Sequence, residues 1–575
     1  MAETLISPGV LARENDQSQI TSGPIQAGAA IVGPTVKGKV GIPKLVTSYS
    51  EYLANFGSTF TFSGSEYSFL TSISAFNYFQ NGGSSLIVTR VASGSFSPAT
   101  ASVPTASTYG GTETVIFELE TLSDGVIMNS TSSEATTGAL DSGSADNIRW
   151  EIVNPNTSSG TFGLIIRRGD DTTKSKRVLE TFTNLSLDPK SSNFISRIVG
   201  DQTQTLMGSG TSDVYLQPTG SYRNASRFVR VSAVNVTTPD YFDNSGIAKD
   251  AYTGSIPTAQ SGTFGGATGV VMSGTDTLYE NIGNTKTQGI SGSDYTDAFN
   301  LLANRDEFRY NIISAPGLIY TNGTHATPLN TLISNVENRG DAIVPLDLEN
   351  YGSTITATVS TAASLDTSYA AAYWPWLQIT DPDTRQLVWV PASTLIPGVY
   401  AANDNTAEPW FAPAGINRGG LRQVVQAERK LTQTNRDDLY TGKVNPIATF
   451  PGRGVVVFGQ KTLQNQASAL DRVNVRRLLI ELKGYISQIA DNLVFEQNTN
   501  ATRNAFLAQV NPYLASVQQR QGLYAFRVVM DETNNTADVI DRNQLVGAIY
   551  IQPTKTAEFI YLDFNILPTG ATFPS

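Results

Sequence analysis

Ser85-Leu86-Ile87-Val88-Thr89-Arg90-Val91 is the stretch that decides the fold class. β-branched residues dominate it, so it reads as a strand returning after a helix. Upstream, Ala29-Ala30-Ile31-Val32-Gly33 is a second short apolar run, and between the two Phe69, Ile73, Phe76 and Phe79 recur at helical spacing, with Gly82 and Gly83 ending the helix. Strand, helix and returning strand make a βαβ unit, which requires a parallel pair. The expectation is an α/β (α+β) multidomain chain.

Working outward, residues 93–112 are Ser, Thr, Gly, Ala and Pro with almost no charge, the composition of a domain edge or insertion point. Beyond it come short alternating runs such as Thr114-Val115-Ile116-Phe117-Glu118-Leu119, Ile148-Arg149-Trp150-Glu151-Ile152-Val153 and Phe162-Gly163-Leu164-Ile165-Ile166-Arg167-Arg168, which read as an inserted β-rich domain over 96–225. Helical and α/β patterns resume around Tyr295 to Phe299, and Asp341 to Asp347 reads as another buried strand. A middle α/β domain is therefore expected to be split into 21–95 and 226–345, followed by a unit over 346–555.

The strongest helix lies within 467–495. Val475, Leu478, Leu479, Leu482, Ile486, Ile489 and Leu493 mark one apolar stripe, while Arg472, Arg476 and Lys483 share a polar face. A second helical run places Phe506, Val510, Tyr513 and Val517 together, with Pro512 expected to kink or restart it. Strands are predicted from Tyr524 to Met530, Val546 to Ile551 and Phe559 to Phe564. At the other end the first twenty residues hold Pro and Gly and no helical period, so they read as an extended arm; stretched out at about 3.3 Å per residue it reaches roughly 60 Å.

At 575 residues the chain exceeds what one core usually organises, so three or so domains are expected. Charged residues make up only 15%, which implies that much of the surface is covered by partners. A net charge of −11 argues against a general nucleic-acid or membrane-surface binder. The absence of cysteine excludes disulfides, Cys-ligated zinc and thiolate nucleophiles. Met1-Ala2-Glu3-Thr4 does not open a secretory signal, and no membrane insertion is expected.

Catalytic chemistry is thinly represented. His325 is the single histidine, in Asn322-Gly323-Thr324-His325, and reads as a surface-loop residue. The carboxylate pairs Asp437-Asp438 and Asp381 with Asp383 could serve a glycosidase or an oxygen-ligated cation, but loop neighbours of this kind are usually solvated. Gly265-Gly266-Ala267-Thr268-Gly269 and Gly452-Arg453-Gly454 do not continue into a phosphate-binding signature and read as turns. No cofactor and no enzyme activity are expected.

Several runs resemble the contractile tail sheath proteins of myophages and their relatives in pyocins and injection machines. They are Leu431-Thr432-Gln433-Thr434-Asn435-Arg436-Asp437-Asp438-Leu439-Tyr440, Val444-Asn445-Pro446-Ile447, Val457-Phe458-Gly459-Gln460-Lys461-Thr462-Leu463, Val473-Asn474-Val475-Arg476-Arg477-Leu478, Phe495-Glu496-Gln497-Asn498 and Pro553-Thr554-Lys555-Thr556-Ala557-Glu558-Phe559-Ile560. Leu5-Ile6-Ser7-Pro8-Gly9-Val10 also resembles sheath sequence.

The resemblance implies a subunit of hexameric rings stacked around a tail tube, which contract to drive the tube through a host envelope. It implies an inner, tube-facing assembly domain drawn from both chain ends, with 1–20 as the N-terminal arm and 556–575 as the C-terminal strand. The helix carrying Arg472, Arg476 and Lys483 corresponds to the family's tube-facing element. Leu5, Ile6 and Val10, with Phe559, Ile560, Tyr561, Leu562 and Phe564, are the residues expected to pair with neighbouring subunits. Implied partners are further copies of the chain, the tube protein, the baseplate and the tail terminator, in the virion tail after assembly in the host cytoplasm. Two alternatives stay open: the sheath of a non-phage contractile device, and a β-rich carbohydrate-active enzyme or surface adhesin.

Overall fold

The computed structural model describes residues 25–26, 28–62, 64–105, 114–131, 133–270 and 282–559, with residues 25, 26 and 62 by backbone alone. The N-terminal arm with Leu5, Ile6 and Val10, and the terminal residues Ile560, Tyr561, Leu562 and Phe564, lie outside the described residues.

The predicted βαβ unit is present. Ala29–Gly33 (β1) and Leu86–Arg90 (β3) pair in parallel from Ala29 opposite Leu86 to Gly33 opposite Arg90, with the helix Leu70–Gln80 (α1) between them in sequence. Lys44–Val46 (β2) adds an antiparallel edge beside β3, and Ile313–Ser314 (β4) adds a parallel neighbour beside β1. A second ladder runs Val344–Leu346 (β5), Ala370–Trp374 (β6), Val444–Phe450 (β7) and Gly454–Val457 (β8). Its first three strands are parallel and β8 returns antiparallel. The two ladders join where the Ile313 amide donates to the Ile343 carbonyl at 3.1 Å and the Ile343 amide to the Asn311 carbonyl at 3.0 Å. The resulting order is β2-β3-β1-β4-β5-β6-β7-β8.

Alternation along these strands sorts their side chains between two cores. Ala30, Val32, Ile87, Ala370, Ala372 and Trp374 enter one, with the helices Ala326–Arg339 (α2) and Ile355–Ala363. Ala29, Ile31, Leu86, Val88, Ala371 and Tyr373 enter the other, with α1 and the helix Ile396–Thr406 (α3). Helices therefore cover both faces, which is why the strands are apolar throughout. α1 and α3 approach closely at Gly398, where a Cβ would stand 2.0 Å from the Asn77 amide oxygen. The expected boundary at 345 is corrected, because it falls inside β5 and the sheet runs on to Val457. Sequence between 346 and 369 reads as a polar Thr/Ser stretch, but Thr354 caps it into the helix Ile355–Ala363 by accepting from the Ala357 amide.

The inserted domain is β-rich as expected. One sheet orders Val178–Ser186, Thr161–Arg168, Ile148–Asn156 and Gln260–Thr263, and another orders Val229–Val234, Val115–Asp124 and Pro98–Pro104. Its core extends from Ala99 to Ala267. The expected end at 225 is thus too early, because Val229–Val234 and Gln260–Thr263 complete insertion sheets and not the middle domain. Buried in this domain, Arg167 is paired with Asp171 at 2.7 Å and with Glu151 at 3.0 Å, while Arg149 reaches Glu134 and lies 3.5 Å from Asp171.

After β8 the chain builds a separate C-terminal unit with its own core of Leu478, Leu482, Ile489, Phe506, Val510, Leu514 and Val517. Two helices, Val473–Asp491 (α5) and Asn500–Gln519 (α6), pack beside a hairpin of Leu523–Val529 (β9) and Ala548–Pro553 (β10). Pro512, expected to kink or restart the helix, sits inside α6, which continues past it without a restart.

Candidate assembly interface

α5 begins with three cations, Arg472, Arg476 and Arg477, at the helix end whose dipole disfavours positive charge. Each is compensated from the body. Arg477 is buried, pairs with Asp404 at 2.5 Å and lies 4.7 Å from the centre of the Tyr400 ring. Arg476 is 3% exposed, stands 4.0 Å from the centre of the Tyr369 ring and donates to the Ser368 hydroxyl. Arg472 forks onto Glu558, with Nε and Nη2 at 2.8 and 3.0 Å from the two carboxylate oxygens.

The expected basic face is therefore one face of the helix, but it turns toward the protein and not outward. Of the three predicted cations Lys483 is the one exposed, its Nζ 3.4 Å from the Tyr369 hydroxyl. It stands at a groove of about 510 Å³ between α5 and the body, with Arg309, Glu337, Glu481 and Asp491 also on the walls. Helical periodicity places residues on a common face; it does not say what the face meets.

The hairpin β9–β10 is a two-stranded sheet, and among the described residues neither strand has a second neighbour. Its inner face rests Leu523, Phe526, Val528, Ile549 and Ile551 on the unit's core, which gives a hairpin of this size the support it needs. Its outer side carries the exposed rings of Tyr524 and Tyr550. Phe495 is fully exposed and, although not a glycine, holds φ at +71° in the turn after α5, beside the exposed Val494. Strand edges without a further neighbour among the described residues, next to exposed aromatics, have the character of a protein-binding surface.

The chain leaves β10 at Pro553 and is then stitched down by polar contacts. The Thr554 hydroxyl donates to the Gln521 carbonyl at 2.7 Å. Gln460 donates to the Thr556 hydroxyl at 2.7 Å and to Glu558 at 3.0 Å, and the Tyr440 hydroxyl donates to Glu558 at 2.6 Å. Burial alone would raise the Glu558 carboxyl, but the hydrogen bonds from Arg472, Tyr440 and Gln460 outweigh it and hold the group below the usual range. The next residue, Phe559, is exposed and belongs to no strand.

Other titratable groups serve the interior. His325 is buried, contrary to the surface-loop reading, and its Nδ1 accepts from the Ile319 amide at 3.2 Å. Burial pushes its imidazole down to about 4, so it is neutral at physiological pH. Asp347 accepts from the Ser393 amide at 2.9 Å and from its hydroxyl, yet burial drives the carboxyl up to about 7. Asp381 accepts from the Asp383 amide at 2.9 Å in a turn, and Asp437 and Asp438 are exposed on the helix Gln433–Thr441 (α4). Among the described residues no helix is long and apolar enough to cross a membrane, and no group of three or more His, Asp or Glu is placed to hold a metal ion.

Residues 288–463, which hold the second half of the sheet, match the phage tail sheath protein central domain, and residues 465–567 match the phage tail sheath C-terminal domain. Together the two matches take in a little under half of the chain. It is 32% identical over 362 residues to the tail sheath protein of Vibrio phage KVP40, covering 60% of this chain and 52% of that one. It is 40% identical over 185 residues to the tail sheath protein of Enterobacteria phage T4, covering 32% and 28%. The chain spans about half the length of the first of these relatives and less of the second. Its fold is similar to a sheath tail protein of Listeria innocua at a TM-score of 0.50 and 9% identity, covering 92% of this chain and 95% of that one.

Proposed function

We propose that this chain is the structural subunit of a contractile tail sheath, polymerising in stacked hexameric rings around a tail tube and contracting to drive the tube through a host envelope. The observation that carries the reading is that the described part of residues 465–567, a stretch matched to a tail sheath C-terminal domain, holds a hairpin whose strands have no further neighbour among the described residues, followed by a clamped outgoing chain. Strand donation into such edges joins copies through main-chain bonds while rigid units rotate. The donated pieces are assigned to the first twenty residues, with Leu5, Ile6 and Val10, and to Phe559, Ile560, Tyr561, Leu562 and Phe564. The tube contact falls to Lys483, since Arg472 and Arg476 are engaged within the subunit. Baseplate and terminator are the partners at the polymer's ends, in the virion tail.

Electron microscopy of the purified full chain is the test. Rings or tubes are expected, and a variant lacking residues 560–575 should stay monomeric with an unchanged melting curve. A strictly monomeric full chain that hydrolyses glycans would overturn the reading. The sheath of a non-phage contractile device is the second reading, and neighbouring genes would separate the two.

A further inference from the structure

Four donor contacts converge on one carboxylate at the root of the C-terminal arm. Glu558 receives the Nε and Nη2 groups of Arg472, the Tyr440 hydroxyl and the Gln460 amide. The donors come from three places in the chain: the end of α4, the loop after β8 and the residue preceding α5. Lys461 adds a charge 4.4 Å from the centre of the Tyr440 ring. A carboxylate so fully occupied is fixed in position and direction, because charge-assisted and bidentate bonds are strong and geometrically narrow. Among the described residues no comparable apolar contact holds this stretch: Lys555, Ala557 and Phe559 are exposed.

We propose that Glu558 is a latch that roots the C-terminal arm, fixing Phe559 as the first residue free to leave the subunit. The register in which the arm is offered to a second copy of this chain is then set inside the donor, before the two meet. A residue's slip at the root would turn every arm side chain to the opposite face of the acceptor sheet, so a polar pin at a defined residue is a register device. The latch is polar and not fully buried where a dry seal would be permanent, and it ties Arg472 to the donor subunit and away from the tube. The role of the arm itself rests on the sheath reading above; the latch does not.

The two are separable by experiment. Trypsin cuts after Lys555 only when the neighbouring backbone can open, and residues 556–575 contain no Lys or Arg, so release of this fragment reports opening of the stretch that Thr554, Thr556 and Glu558 hold, and variants at Glu558 and Tyr440 isolate the latch's share. In the full-length monomer, Glu558→Gln should speed its release roughly tenfold or more, with Glu558→Asp and Tyr440→Phe between Gln and wild type, all at an unchanged melting temperature. Tyr440→Phe keeps the ring and removes one donor, and so guards against a folding defect. Release at the wild-type rate in Glu558→Gln overturns the latch. Faster release with polymers of normal yield and helical order overturns the register role. A wild-type chain that never polymerises would sink the sheath reading while the cleavage rates still judge the latch.

Discussion

The guanidinium of Arg476 lies 4.0 Å from the centre of the Tyr369 ring, inside the protein, while Lys483 two turns along the same helix face reaches the same tyrosine's hydroxyl from solvent. One helix face therefore serves docking at one end and exposure at the other. Arg476→Glu places a carboxylate where a desolvated cation was compensated and should lower subunit stability by about 2–4 kcal/mol in urea unfolding. Lys483→Glu should change stability by no more than about 0.5 kcal/mol and weaken assembly on tubes. Equal stability losses for the two would contradict this division.

Asp347 gives the fold a pH dependence of unusual sign for a carboxylate. Below about pH 4 it is protonated both folded and unfolded; between there and about 7 the folded state keeps a proton that the unfolded chain has lost. The unfolding free energy should thus fall as pH rises through that window, by an amount on the order of a few kcal/mol, and level off above it. Asp347→Asn keeps acceptor and donor toward Ser393 and should remove most of this slope, raising the melting temperature at pH 8. Parallel stability–pH curves for the two proteins would refute the assignment.

Asp171 is the carboxylate common to two buried arginines in the insertion, Arg149 and Arg167. Asp171→Ala leaves both cations desolvated with less compensation, and a loss of about 3–5 kcal/mol is expected. Hydrogen exchange should show faster opening across residues 98–267 with little change in the central sheet. Uniform loss of protection over the whole chain would count against an insertion that folds around its own core.

Phe495 makes no claim on the subunit's interior. Phe495→Ser should leave urea unfolding within about 0.5 kcal/mol of wild type and reduce polymer yield, measured by sedimentation. A large fall in subunit stability would show that the ring is covered in solution.

Much of this architecture was legible in sequence because it rests on local chemistry. Ala29–Gly33 and the strand Leu86–Arg90 emerge from continuous apolar runs, and α5 from its stripe. What escaped depends on contacts between distant residues. Nothing in the run Val229–Val234 says that its partner is Val115–Asp124 and not a strand of the middle domain. Arg472 reads as a free cation until Glu558, 86 positions later, is brought to it. Likewise His325 reads as a loop residue, because its neighbours are polar, until Ile319 donates to it from within a buried turn.

At the insertion's base the Ser291 amide donates to the Ser93 hydroxyl at 2.9 Å, so the outgoing and returning chains stand side by side. Such a doorway makes the inserted domain a replaceable cassette: a foreign module whose termini lie equally close could be spliced between them without bending the sheet. The splice would have to supply apolar cover where the insertion's Leu206, Val214 and Leu216 now lie against the body. With that cover in place, each copy in a polymer would carry one passenger at a fixed, repeating position.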